Sequence, residues 1–129
     1  MARYLSPEWI TALDEAARSD GALAAATADI ALVIQQEVKG APDGDASWHV
    51  VVDHGKVRVL AGSSPAPDVV FTQDHTTALA IGRGELSAQT AFMIGKLRVG
   101  GDVGLLMTHH DAFDSVEDVF APVRLQTEY

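Results

Sequence analysis

The 129-residue sequence predicts an α+β fold in which a single mostly antiparallel β-sheet is covered on one side by α-helices. The chain begins with an apolar pattern of helical period and continues with segments in which apolar residues alternate at every second position. It ends with further helical patterns that enclose one late strand. The length predicts one domain over residues 1–129, which would bury about two-thirds of its unfolded surface.

The first element is predicted to be an amphipathic helix. Ser6 is suited to the N-cap position and Pro7 to the first helical turn. Apolar residues then recur at helical spacing, namely Trp9, Ile10, Leu13, Ala16 and Ala17. Residues 19–21 end the pattern, and the alanines of residues 22–28 are compatible with a second short helix.

Three strands are predicted next. From Asp29 the apolar residues share one parity, with Gln36 as the exception. After a loop at residues 40–46, two alternating segments flank His54-Gly55, which is suited to a two-residue hairpin turn. In that register the valines pair across the ladder, so one side of the hairpin carries Val50, Val52, Val57 and Val59.

The second half of the chain alternates between caps and apolar segments. A strand at residues 68–72 precedes a helix that Asp74 or Thr72 would cap and that ends at Gly82. Ser87 is expected to cap a short helix around residues 91–93. A last strand follows at residues 97–99, Asp102 opens another helix, and a final amphipathic helix is expected to break at Pro122.

Composition excludes several functional classes. The chain carries 18 acidic and 9 basic side chains, a net charge of −9, which predicts repulsion of nucleic acid. The same sign disfavours anionic lipid surfaces, although Lys96 with Arg98 forms a local basic spot that could touch one. No apolar segment approaches the 18 residues of a spanning helix, so stable membrane insertion is not expected.

The absence of cysteine excludes disulfides, thiolate nucleophiles and cysteine-ligated zinc. The amino-terminal residues lack the apolar core of a signal peptide, and the last residues do not form a peroxisomal Ser-Lys-Leu signal. We therefore predict a cytoplasmic location.

Residues 82–107 carry the most informative motif of the chain. It runs Ala-Phe-Met at residues 91–93, Gly-Lys-Leu-x-Val at residues 95–99, Gly-Asp at residues 101–102 and Gly-Leu-x-Met at residues 104–107. The spacing resembles that of the sterol carrier protein 2 (SCP2) family, with the resemblance extending over about residues 29–107. It implies an SCP2-like fold and a lipid-binding domain that carries apolar molecules without catalysing a reaction.

The resemblance also implies an apolar tunnel between the sheet and the later helices. The residues expected to line or close it are Phe92, Met93, Leu97, Val103, Leu106, Met107, Phe113 and Phe120. Methionine and phenylalanine provide adaptable walls for ligands of varied shape. The expected ligand is a hydrophobic small molecule, namely a fatty acid, an acyl thioester, an isoprenoid or a sterol. Lys96, Gly101 and Asp102 are expected to serve the fold.

The histidines offer no convincing catalytic or metal site. His109 and His110 are adjacent, which on a helix separates them by about 100°, whereas a helical metal pair needs residues i and i+4. His49 lies on the polar parity of its strand and His54 in a turn, so both are expected to be solvated. No catalytic residue, metal or cofactor is therefore predicted.

Two alternatives to a carrier remain open. The same fold could act as an accessory or dimerisation module that holds a partner enzyme or a second copy and binds no ligand of its own. A small enzyme that uses His109, His110 or Asp102 on an apolar substrate is the weaker alternative, because no nucleophile stands beside a base in the sequence.

Overall fold

The computed structural model describes residues 2–129, which form seven strands and six helices. The strands are β1 (Ala2–Arg3), β2 (Ala31–Lys39), β3 (Ala46–Asp53), β4 (Lys56–Ala61), β5 (Val69–Asp74), β6 (Leu97–Gly101) and β7 (Thr127–Glu128). The helices are α1 (Pro7–Ser19), α2 (Gly21–Ala26), α3 (His75–Gly82), α4 (Ala88–Met93), α5 (Val103–Thr108) and α6 (His110–Leu125). None of these helices is long and apolar enough to cross a bilayer.

Five strands form one sheet in the order β4-β3-β2-β5-β6, with the β2–β5 pair parallel and the other three pairs antiparallel. The short strands β1 and β7 form a separate parallel pair that joins the two ends of the chain. The predicted α+β class and mostly antiparallel sheet are confirmed. One face of the sheet packs against helices, and this is the face that carries the apolar parity of the strands.

The β3–β4 hairpin has the predicted register. Val52 pairs with Val57 and Val50 with Val59, and all four side chains are buried. His54 and Gly55 both have positive φ, 46° and 87°, as a two-residue turn of this kind requires. The two-residue turn and the alternation of the valines therefore place the same four side chains in the core.

Helix α1 begins where its cap predicts and lies along the outer edge of the sheet. The Ser6 hydroxyl accepts a hydrogen bond from the backbone N–H of Trp9 at 3.2 Å. Further along α1, the Asp14 carboxylate accepts the backbone N–H of Val59 at 2.8 Å and pairs with Arg58 at 2.9 Å. Because β4 is an edge strand, this contact occupies an N–H that would otherwise be free to pair with another chain.

The prediction that His49 is solvated was wrong. The chain between β4 and β5 has to pass over β3 and β2, because β5 joins the sheet on the far side of β2. This loop runs over the face opposite the helices, where His49 Nδ1 lies 2.7 Å from the Gly62 carbonyl oxygen and Ser64 N–H donates to Gln35. His49 and Gln35 are consequently buried, whereas His54 is exposed, as predicted.

The prediction that Pro122 breaks the last helix was also wrong, because α6 continues through it to Leu125. Contacts beyond the proline hold the last turn. The Thr127 hydroxyl and the Gln126 N–H both donate to the Val123 carbonyl oxygen, and Thr127 itself belongs to β7, which pairs with β1. These bonds compensate for the one backbone hydrogen bond that proline removes.

Candidate functional site

The eight predicted site residues differ strongly in burial. Leu97 and Phe120 are buried, at 5% and 4% exposure, and Leu106 and Phe113 are half-buried. The remaining four are exposed, namely Phe92, Met93, Val103 and Met107. Phe120 packs on Trp48 in the main core, with ring centroids 6.3 Å apart, so its position is that of a core residue.

Exposed apolar side chains concentrate in the segment from α4 to α5. Seven large hydrophobic residues are exposed within residues 2–129, and five of them lie between positions 92 and 107. The five are Phe92, Met93, Ile94, Val103 and Met107. Soluble proteins seldom leave neighbouring apolar residues in water without a functional reason.

The sheet surface near this segment is only partly covered. On the helix-facing side of β5 and β6, Phe71, Gln73 and Val99 are half-buried, although Val69 and Leu97 are buried. Helix α5 contacts β5 and α6, yet it contains no buried residue. Its covering of the sheet is therefore shallow, and little buried area would be lost if α5 moved.

A small void lies between the sheet and α6, with a volume of about 10 Å³. Its wall is entirely apolar, formed by Ile30, Leu32, Ile34 and Val52 on the strand side and by Ala112, Phe113 and Val116 on α6. The volume suffices for about one water-sized sphere, and a site without polar groups would leave that water without partners. Phe113 borders this void and also meets Phe71 edge to face, with centroids 6.4 Å apart.

One polar pair interrupts the helix-facing side of the sheet. Gln73 Nε2 donates to Gln36 Oε1 at 3.1 Å, on the strands β5 and β2 and next to Phe71. Phe71, Val99 and this pair were missed as candidate site residues. The parity of β5 and β6 and the exception at Gln36 were the signals in the sequence that could have identified them.

A wider cleft of about 320 Å³ lies between α1 and β4, but its walls carry charged groups with partners. Burial would raise the pKa of Asp14, yet hydrogen bonds from Arg58 and from the Val59 N–H outweigh this effect and hold the pKa below its ordinary value. Arg18 adds a third contact at 3.1 Å. The cleft therefore contains a satisfied ion-pair cluster that fastens α1 to the sheet edge.

The geometry offers acid-base or metal chemistry little support. Within residues 2–129 there is no group of three His, Cys, Asp or Glu side chains placed to hold a metal ion. His110 Nε2 lies 3.0 Å from Asp111, and both side chains are largely in solvent. Asp102 stands at the N-cap of α5 without a side-chain cap bond. The arrangement is suited to apolar contact more than to proton transfer.

Gly101 has the structural role that the sequence predicts. Its φ is +81°, and a Cβ at this position would collide with the Asp68 carbonyl oxygen. That oxygen accepts the N–H of Asp102 at 2.7 Å, while the Asp68 carboxylate accepts the N–H of Val33 at 2.7 Å. The glycine therefore permits the close approach of β6 to the start of β5.

Comparison with known proteins identifies clear relatives. Residues 10–114 match the SCP-2 sterol transfer family. Bovine sterol carrier protein 2 is 40% identical over 72 residues, which are 55% of this chain and 13% of the bovine protein. The chain thus corresponds to a small part of the curated relatives that it matches.

Solved structures share the fold over most of the chain. A crystal structure of sterol carrier protein 2 superposes with a TM-score of 0.75 at 19% identity, covering 92% of this chain and 98% of the other. A solution structure of palmitated SCP2L2 from Aedes aegypti gives a TM-score of 0.58 at 25% identity, covering 88% and 94%. Because the crystal structure is only 19% identical in sequence, its similarity bears on the fold alone.

Proposed function

The chain belongs to the SCP-2 sterol transfer family, and from this premise we propose that residues 1–129 form one domain that carries a hydrophobic small molecule without chemical change. The observation that carries the proposal is the concentration of exposed apolar side chains between positions 92 and 107, beside a sheet face that α5 covers only shallowly. The ligand would lie between that face and α5, and the domain would work in the cytoplasm.

Two groups of residues would form the site. Phe71, Leu97 and Val99 would form the floor on the sheet, and Leu106 and Phe113 would form the wall on α5 and α6. Phe92, Met93, Val103 and Met107 would close over the ligand as their exposed surface becomes buried. The void beside Phe113 lies under α6 and is too small for an acyl chain, so the ligand would need additional space. Outward movement of the shallowly packed α5 would supply it.

Sequestration from water supplies the binding energy. Burial of apolar surface contributes about 0.8 kcal/mol per methylene, so a long acyl chain offers on the order of 10 kcal/mol before costs. Ordering of the ligand and opening of α5 reduce this value, which leaves affinities on the order of micromolar. The palmitated relative from Aedes aegypti supports an acyl chain as the first ligand to test.

The test is uptake of a fluorescent long-chain fatty acid, with displacement by palmitate, by a sterol and by an isoprenoid. We expect saturable binding and displacement by at least one of these lipids. Leu106→Trp fills space beside α5 and should weaken uptake by about tenfold or more. Its melting temperature should fall by only about 2–4 °C, because the shallow packing around α5 accommodates the larger side chain.

Two controls make this result interpretable. Leu125→Trp changes a residue that is 84% exposed outside the proposed site and should alter neither uptake nor melting. Leu13→Trp introduces the same side chain into the packed core and should destabilise the protein strongly. Absence of saturable binding for every lipid class would reject the carrier and leave the accessory or dimerisation module as the remaining interpretation.

A further inference from the structure

Three consecutive large apolar residues are exposed at the end of α4. Phe92, Met93 and Ile94 are 50%, 75% and 57% exposed, and we refer to them together as the apolar tip. Consecutive residues on a helix end point in different directions, so one flat partner surface would leave part of the tip in water. A medium that surrounds all three side chains would bury them more fully.

The fold holds the apolar tip in this position. Ala91 is the buried residue of α4, which packs on β6. After the helix, Lys96 N–H donates to the Ala91 carbonyl at 2.9 Å and Gly95 N–H donates to the Phe92 carbonyl at 3.2 Å, with Gly95 at a φ of +79°. These bonds form a Schellman motif, so a defined helix end presents the tip to solvent.

The segment that carries the tip is basic although the chain is acidic. Residues 86–101 contain no Asp or Glu, while the whole chain has 18, and they contain Lys96 and Arg98. Both side chains are exposed, and neither lies within ion-pairing distance of a carboxylate in residues 2–129. Lys96 lies close enough to Asp74 to act on it: the pKa of Asp74 is lowered mainly by hydrogen bonds from Thr77, with smaller contributions from Lys96 and His75.

We propose that in the ligand-free protein, where Phe92 and Met93 do not yet cover a ligand, the apolar tip docks on the surface of an anionic phospholipid bilayer, with Phe92, Met93 and Ile94 entering the interface and Lys96 and Arg98 meeting the headgroups. Apolar side chains next to basic residues are attracted to such a surface by burial and by charge together. The rest of the chain is acidic and is repelled, so the field orients the protein with the tip toward the membrane.

A second copy of the chain fits the tip less well. Two copies that met symmetrically through the same patch would bring Lys96 and Arg98 of one near those of the other, and each chain carries a net charge of −9. A stable protein interface also needs a broad surface of about 800 Å² on each partner, whereas the tip consists of three side chains at a turn. With so few anchors, docking on a bilayer is reversible.

The experiment measures sedimentation of the full chain with vesicles of phosphatidylcholine alone and with vesicles that also contain phosphatidylserine. We expect binding to the anionic vesicles, weaker binding to the neutral ones, and loss of binding at high salt. Ile94→Asp should reduce binding to anionic vesicles by about tenfold or more, because it removes an inserted side chain and adds a negative charge. Leu125→Asp, at an exposed leucine far along the chain, should bind like the parent.

Fatty-acid uptake in vesicle-free buffer separates docking from carriage, because Ile94 is not among the proposed ligand-binding residues. Unchanged uptake by Ile94→Asp together with lost vesicle binding supports docking as a separate property. A parent protein that binds fatty acid but no anionic vesicle, or an equal loss in Ile94→Asp and Leu125→Asp, overturns the docking proposal and leaves the carrier intact. Self-association of the parent that Ile94→Asp abolishes, or capture of a protein by the tip without vesicle binding, also overturns it.

Discussion

The half of the sheet formed by β2, β3 and β4 differs in packing from the half formed by β5 and β6. The first half shares one core cluster with α1, α2 and α6, in which Leu13, Leu23, Val50 and Val59 are almost fully buried. Among residues 2–129, that cluster includes no side chain from α4, β6 or α5, and Phe71 of β5 packs against its periphery. Stability and the proposed binding surface therefore reside in different parts of one sheet.

The difference shows how a small domain can stay folded and still leave apolar surface for a ligand. Burial of β2–β4 supplies the free energy that keeps the strands in register. Helix α5 can then be packed shallowly without endangering the fold. Regions with few buried contacts open at a low free-energy cost, which is the property that ligand entry requires.

A charge placed in each half of the molecule gives the largest expected effect and tests the difference in packing between them. Val57→Asp should lower the free energy of unfolding by more than about 2 kcal/mol, because Val57 is buried and the new carboxylate has no partner there. Met107→Asp places the same carboxylate on the exposed side of α5 and should cost less than about 0.5 kcal/mol. Urea unfolding of both variants measures the difference, and equal losses would show that the two halves are packed alike.

A smaller effect is expected where β6 meets β5. Gly101→Ala should lower the free energy of unfolding by about 1–3 kcal/mol, since φ is +81° and the new methyl group meets the Asp68 carbonyl. Gly104→Ala, on the neighbouring α5, has no positive φ and should be neutral or slightly stabilising. Similar melting temperatures for the two variants would mean that the contact between β5 and β6 constrains the backbone no more strongly than α5 does.

The smallest expected effect concerns the sheet edge of the well-packed half. Asp14→Asn should lower stability by about 1–2 kcal/mol at neutral pH, because it weakens the contacts with Arg58 and Arg18 and retains one acceptor for the Val59 N–H. Since folding lowers the pKa of Asp14 from its ordinary value of 3.8, the stabilisation is present above about pH 4. It is lost as the pH falls through the folded-state pKa.

Chemical denaturation of parent and Asp14→Asn at a series of pH values measures this linkage. The difference between the two proteins in free energy of unfolding should decrease as the pH falls below about 4. A difference that stays constant or increases on acidification would show that the negative charge of Asp14 does not stabilise the fold through Arg58 and Arg18.

Much of the fold could be predicted from the sequence because its signals are local. The Ser6 and Ser87 caps, the two-residue turn at His54-Gly55 and the alternation of the valines depend on neighbouring residues, and each was confirmed. The spacing of the motif at residues 91–107 also sufficed to indicate the family. Whether the eight site residues predicted from the sequence hold a ligand stays a prediction.

The tertiary structure alone decided which elements meet. The position of β5 beside β2 makes that pair parallel and sends the preceding loop over His49, a contact that no local pattern encodes. Pro122 remains inside α6 because Thr127 and the β1–β7 pair hold the turn after it. The exposed apolar residues of α4 and α5 are of the same types as residues in the core, and the sparse packing of those helices leaves them in solvent. A sequence specifies which surfaces are apolar, but burial depends on whether the chain brings a second surface against them.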